Sequence, residues 1–332
     1  MRRHHLAGRI VLVSLLMTGI LYACHRHVRN LDWYIDTFSN EGMVESFDFH
    51  QTPDEARCLH NTIASSKPPI PNVVHVIWLN NPELTFLNYL TMRSALDSIQ
   101  PDTIHLHYTV LNESNMWLRL LQPRITLVPH DLEKEYPLQV QQGWQISHVA
   151  DVLRLDILHQ HGGIYLDMDV ITLRSFDHLR NADRDVVLGH EGSPRQGLCN
   201  AIILARPHAR FLTRWIESYQ DFARSEWNYH SVVLPKQLAT EYPDEICALS
   251  PEVFFWPTWT RRHVRFMHEP MDKAESVAFQ ATLVSNGGSM YENQRAYHGW
   301  SQVSTPYLQR LSPANVQAED TRFNVLARRF LS

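Results

Sequence analysis

The sequence is short of glycine (12 in 332 residues) and of cysteine (4), carries no dense basic tract, and contains neither an internal repeat nor a low-complexity segment. So little glycine excludes a collagen-like chain, and so few cysteines exclude a disulfide scaffold. With 44% apolar and 10% aromatic residues the chain has material for a real core, which excludes intrinsic disorder. Thirty Lys plus Arg against 35 Asp plus Glu give a formal charge of −5. Nothing here resembles a phosphate-backbone surface, so nucleic acid is not an expected partner. Twenty histidines scatter through every segment rather than cluster, and read as ordinary surface or core residues.

The N-terminus departs from this average. Arg2, Arg3 and Arg9 precede an uncharged run from Ile10 to Cys24, and His25, Arg26, His27 and Arg29 follow it. Fifteen helical residues reach about 22 Å, which suits a thin early-secretory membrane. A cleaved signal peptide is the rival reading; the basic residues directly after Cys24 and the lack of a small-x-small site favour an uncleaved anchor. The expected organisation is a cytoplasmic tail (1–9), a signal-anchor helix (10–24), a lumenal stem (25–70) and one large folded domain (71–332), giving a single-pass type II protein of the Golgi or endoplasmic reticulum. Asn112-Glu113-Ser114 is a glycosylation acceptor triplet. Cys58, Cys199 and Cys247 allow one disulfide and leave one thiol, with the pairing open.

After the stiff Lys67-Pro68-Pro69-Ile70-Pro71, strand and helix patterns alternate. Val73–Leu79, Ile104–Val110, Ile125–Val128, Ile164–Leu166, Val170–Leu173, Val186–Gly189 and Ala201–Leu204 read as strands. Leu84–Ile99, Ser114–Leu121, Ile146–Gln160 and Ala209–Phe222 read as helices, the third marked by Ile146, Val149, Leu153, Ile157 and Leu158 at helical spacing. Such alternation predicts an α/β fold: a mostly parallel central sheet with helices on both faces. Beyond Tyr229 the periodicity fades.

Asp167 and Asp169 stand at the end of an apolar strand, the edge at which open α/β sheets bind ligands. Two neighbouring carboxylates repel each other and are costly to bury without a cation. Oxygen donors on a loop favour Mg²⁺ or Mn²⁺. Asp151 and Arg154, at i and i+3 on the preceding helix, return beside the doublet through the Gly162-Gly163 turn.

The run Asp151-Val152-Leu153-Arg154 followed by Gly162-Gly163-Ile164-Tyr165-Leu166-Asp167-Met168-Asp169 resembles the signature of glycosyltransferases whose sugar-binding region contains the DXD motif (family 32-like). That family includes fungal initiating α-1,6-mannosyltransferases, inositolphosphoceramide mannosyltransferases and α-1,4-galactosyltransferases. Pro71–Trp78, Asn200–Ile203 with Pro207-His208, and Ala296-Tyr297-His298-Gly299-Trp300 are similar to further family elements in the same order. The resemblance implies a GT-A (Rossmann-like) fold and transfer, with retention, of a hexose from GDP-mannose or a UDP-sugar to a glycan, glycoprotein or glycolipid. It implies Mn²⁺ or Mg²⁺ on Asp169, with Asp167 holding a metal-bound water or the ribose. Asp151 and Arg154 would meet sugar hydroxyls, Tyr165 and Trp78 would line the donor pocket, and His298 and Trp300 would close it. Two other readings fit the doublet: a phosphohydrolase with Asp167 as nucleophile, and a non-catalytic sugar-nucleotide binder.

Overall fold

A computed structural model describes residues 50–60, 67–192, 195–222 and 227–331. The expected cytoplasmic tail, anchor helix and most of the stem lie outside the described residues; within them no helix is long and apolar enough to cross a membrane. Among them nine strands run in chain order: β1 (Val73–Trp78), β2 (Thr103–Tyr108), β3 (Ile125–Pro129), β4 (Gly163–Leu166), β5 (Val170–Thr172), β6 (Val186–Glu191), β7 (Gly197–Ala205), β8 (Ile246–Leu249) and β9 (Ala296–His298).

Seven of these form one sheet in the order β3-β2-β1-β4-β7-β6-β8. Every pairing is parallel except those of β7, which runs antiparallel to β4 and β6. The fold is thus mixed α/β with a mostly parallel central sheet. From β1 the order grows outward through β2 and β3, then restarts on the other side of β1 with β4, so β1 and β4 flank the switch point where α/β sheets open a crevice.

Alternation along β1 and β2 assigns each residue to a face. Val74, Val76, Ile104 and Leu106 pack with the helix Phe86–Ser98 and with Phe323 and Leu326 near the C-terminus. On the opposite face Ile77, Tyr165, Ile203 and Leu188 pack with the helices Ile146–His161 and Arg210–Glu217. Both faces are therefore covered by helices. The chain turns from the first of those helices into β4 at Gly162 (φ +66°) and Gly163 (φ +114°). A Cβ at Gly163 would come within 2.6 Å of the Val73 carbonyl oxygen, so the position admits only glycine without displacing β1.

The folded unit begins earlier than the proline-rich boundary suggests. Pro53–His60, within the segment expected as stem, is a helix capped reciprocally by Thr52 and Glu55. Glu55 accepts from the Ser250 amide at 3.0 Å, and Cys58 is disulfide-bonded to Cys247 on β8. A lone eight-residue helix would not persist; the covalent link and burial of Cys58 and Leu59 hold this one. Cys199 is the remaining thiol and is buried.

Candidate active site

β4 ends at Leu166 and hands the chain to Asp167, whose amide donates to the Ala201 carbonyl of β7 at 2.8 Å. A turn follows, closed by the Val170 amide on the Asp167 carbonyl, and β5 then pairs antiparallel with β9. That pairing sets Val170 opposite His298 and brings the C-terminal segment onto the doublet. The Asn88 amide, on the helix beneath, ties down the Met168 carbonyl at 3.1 Å.

The two carboxylates have different surroundings. Asp167 Oδ1 accepts from Arg154 Nη1 at 3.0 Å and from the Tyr165 hydroxyl at 2.6 Å, which leaves Oδ2 without a partner among the described residues. Asp169 Oδ1 lies 3.1 Å from His298 Nε2, and its Oδ2 accepts from the Ser301 amide at 2.8 Å, at the first turn of the helix Ser301–Leu308. Burial raises Asp167 above the usual carboxylate range despite Arg154. Burial works the same way on Asp169, but His298 and Ser301 outweigh it and hold Asp169 down to about 2. Burial pulls His298 down while Asp169 raises it, and the net direction is upward.

Arg154 is buried to 6% exposure and joins the helix to the strand end. Its Nη2 meets Asp151 Oδ1 at 3.1 Å, its Nη1 also donates to the Asn200 carbonyl at 3.0 Å, and its Nε donates to the Ala150 carbonyl at 3.2 Å. These contacts use four of the five N–H groups of a guanidinium, so one is left for a ligand. Asp151 is fixed from its other side by the Asn200 side-chain amide at 2.7 Å. The Tyr165 ring lies under the guanidinium, 4.5 Å from its carbon.

Asp151, Arg154, Asp167 and Asp169 open onto one cleft of about 850 Å³, with Trp78, His298 and Trp300 on its walls. Tyr165 does not line the cleft; it sits behind Asp167 and reaches the site through that carboxylate. Trp300 adopts φ +51° and donates its indole N–H to the Pro257 carbonyl at 2.9 Å. Three cleft residues were not anticipated as site residues. Asn200 was legible as part of a strand but not as the partner of Asp151. Trp259, 5.3 Å from the Trp300 ring, falls in the aperiodic region after Tyr229. Glu191 follows an apolar run and gives no signal in sequence; burial raises its carboxyl to about 7.

A doubly covered α/β sheet with an acid doublet and a buried arginine at its switch point defines an α/β protein with a ligand crevice at that edge. Comparison with known proteins narrows this. Residues 53–186 match the family model described as glycosyltransferase sugar-binding region containing DXD motif. The chain is 35% identical over 281 residues to glucan organizing enzyme 1 of Cryptococcus neoformans var. grubii, covering 79% of this chain and 71% of that protein. A 105-residue stretch is 31% identical to an uncharacterized glycosyltransferase, L373, of Acanthamoeba polyphaga mimivirus, covering 31% of this chain and 36% of that one. Among solved structures, the PaToxG glycosyltransferase aligns at 14% identity with a TM-score of 0.42, over 83% of this chain and 93% of that chain. The chain belongs to the DXD-containing glycosyltransferase family and is a glycosyltransferase. The phosphohydrolase and non-catalytic readings are accordingly not favoured.

Proposed function

We propose that the protein is a metal-dependent hexosyltransferase of GT-A type that moves a sugar, with retention, from GDP-mannose or a UDP-sugar to a glycan, glycoprotein or glycolipid. The observation that carries the proposal is the pairing of β5 with β9. It places His298 against Asp169 and thereby assembles two carboxylates and an imidazole whose donor atoms lie within 4.8 Å of one another.

That donor set fits a divalent ion. His298 Nδ1 is buried with no hydrogen-bond partner among the described residues, and Asp167 Oδ2 is uncommitted. Two hard oxygens with one imidazole suit Mn²⁺ better than Mg²⁺. Asp167, Asp169 and His298 would hold the ion, which when bound supplies positive charge to the leaving nucleoside diphosphate. The chain's own residues do the rest. Arg154 bridges Asp151 and Asp167 and holds both in fixed rotamers, so the site needs no rearrangement when charge develops. Asp151, clamped by Asn200 and Arg154, presents its remaining acceptor sites to donor hydroxyls. The indole N–H of Trp78, buried and unpartnered among the described residues, is free to meet a nucleobase edge from the β1 side. Trp300 and Trp259 close the opposite wall and exclude water from the sugar.

The same reading places the enzyme in the Golgi or endoplasmic reticulum membrane, single-pass type II, held by residues 10–24. The Cys58–Cys247 disulfide is consistent with an oxidising lumen. The test is a panel of sugar nucleotides assayed for nucleoside diphosphate release with Mn²⁺, with and without EDTA, for the parent and Asp169→Asn. One donor should be turned over by the parent, and both chelation and the substitution should abolish turnover. Undiminished release in EDTA would remove the metal from the mechanism.

A further inference from the structure

The histidines that look scattered along the sequence converge in the fold. On β1 and β2 the face toward the helix Ile146–His161 carries His75, His105 and His107, at positions where alternation would otherwise place apolar residues. The parallel register sets His75 opposite His105 and Ile77 opposite His107. One ring nitrogen from each of the three lies within 4.8 Å of the others. His75 and His107 are buried and His105 is half-buried.

The hydrogen bonds around these rings do not balance without an added positive charge. His75 Nε2 meets the Gly162 carbonyl at 3.1 Å, and His75 Nδ1 meets His107 Nε2 at 3.0 Å. His107 Nδ1 meets His130 Nε2 at 2.8 Å, and His130 Nδ1 meets Glu135 Oε2 at 2.6 Å. Both ends of this series, a carbonyl and a carboxylate, only accept. Each neutral imidazole brings one N–H, so three rings supply three hydrogens to four links.

The third ring of the cluster is His105. That ring sits 5.2 Å from His75 and 6.1 Å from His107, centroid to centroid, and neither of its nitrogens has a hydrogen-bond partner among the described residues. A divalent ion in the gap between His75 Nδ1 and His107 Nε2 balances the series and gives His105 a place in it. It uses one lone pair from each of the three rings, and every remaining link then has its own hydrogen: His75 to Gly162, His107 to His130, His130 to Glu135. Ligating histidines are commonly fixed in this way, the outer N–H donating to a carbonyl or toward a carboxylate. Nitrogens sharing a tetrahedral zinc stand about 3.3 Å apart for Zn–N near 2.05 Å. The present 3.0 Å gap therefore needs only a small opening.

We propose that His75, His105 and His107 form a binding site for one zinc-class divalent ion, separate from the Asp167–Asp169 site. All-imidazole donors select zinc, copper or nickel over Mg²⁺ and Mn²⁺, so the two sites take different metals. The site ties β1 to β2 and, through His75 and Gly162, to the turn that launches β4 toward Asp167. Its role is to brace the doublet from behind the sheet.

The experiment uses the full chain, stripped with a chelator and titrated with Zn²⁺ against a chromophoric competitor, with Co²⁺ absorption as a second readout. Asp169→Asn, in which the doublet site is disabled, should still bind one zinc, and Co²⁺ in that variant should give the visible bands of a tetrahedral nitrogen site. Because His75 and His107 are buried, the site is probed through His105→Ala and His130→Ala, each checked for a native circular dichroism spectrum. His105→Ala should weaken zinc binding at least tenfold, and His130→Ala roughly 10- to 100-fold through loss of its outer contact. No zinc bound by Asp169→Asn, or unchanged affinity in His105→Ala, would overturn the assignment.

Discussion

Replacing Arg154 by methionine tests the electrostatic core of the site. The guanidinium lies between Asp151 at 3.1 Å and Asp167 at 3.0 Å, nearly out of contact with solvent, so its removal leaves two carboxylates facing each other without a cation. Breaking a buried ion pair from one side costs about 3 to 5 kcal/mol. The lost bond to the Asn200 carbonyl falls within that range, because a carbonyl keeps a second lone pair for other donors. At roughly 2 °C per kcal/mol for a chain of this size, the melting temperature should fall by about 6 to 10 °C. Arg154→Met combined with Asp167→Asn removes one of the stranded charges, and the pair should recover about 1 to 3 kcal/mol relative to the sum of the single variants. The assay is thermal and urea unfolding of the four proteins, with nucleoside diphosphate release measured in parallel. Stability should return in part in the double variant while transfer stays lost. A single variant that melts within about 2 °C of the parent, or costs that simply add, would refute the view that Arg154 is held by both carboxylates.

Three further outcomes follow from other parts of the structure. Gly299→Ala would push a Cβ to 2.8 Å from the Asp169 carbonyl oxygen, so turnover should drop about 100-fold by misplacing the doublet, with a stability loss of only about 1 to 3 kcal/mol; unchanged turnover would contradict the close packing of β9 on that loop. Reducing the Cys58–Cys247 disulfide opens a loop spanning 189 residues, and chain entropy puts the cost at roughly 5 kcal/mol; Cys58→Ser with Cys247→Ser should match the reduced protein in urea unfolding, and a midpoint equal to the oxidised parent would exclude a stabilising link. Burial lowers His190, His263 and His268 to about 4 each, so they stay neutral in the fold while the unfolded chain protonates them near 6.5. Their contribution is fully present above pH 6.5 and is lost as pH falls toward 4. Burial raises Glu191 to about 7, which has the opposite sign and offsets one of the three. The net loss from these four groups between pH 6 and 5 should be about 2 kcal/mol, read as the shift in urea midpoint, and a flat profile over that interval would sink the argument.

The main strands and helices from residue 73 to 222 were legible because each is either a run of apolar residues or a stripe at helical spacing, and both follow from local periodicity alone; the short helices Leu132–Glu135, Pro137–Gln141 and Asp177–Arg180 carry neither signal and were not read. The helix start at Thr52-Pro53-Asp54-Glu55 was not read, although it has a capping Thr, Pro at the first position and Glu at the third. It lay among residues of mixed polarity, and the proline run after it looked like a boundary. Past Tyr229 local rules fail for a physical reason: β8, β9 and most of the C-terminal helices are short and persist through partners distant in the chain, while the longer helix Lys273–Ser285 buries only Ser276 and Phe279 and so shows no apolar stripe.

The sequence by itself determined the class of the sheet, the acid doublet at a strand end and the helix that carries Asp151 and Arg154, since spacing of three on a helix and a tight glycine turn are properties of neighbouring residues. Tertiary structure alone decided that Asp167 would be paired with Arg154 and Tyr165 while Asp169 faced His298, that Cys58 would meet Cys247, and that three histidines on two strands would share one face. The Asp169–His298 and Cys58–Cys247 pairings depend on strand order across more than a hundred residues and the shared histidine face on the register of β1 with β2, and no local pattern encodes which distant side chain arrives opposite a given carboxylate.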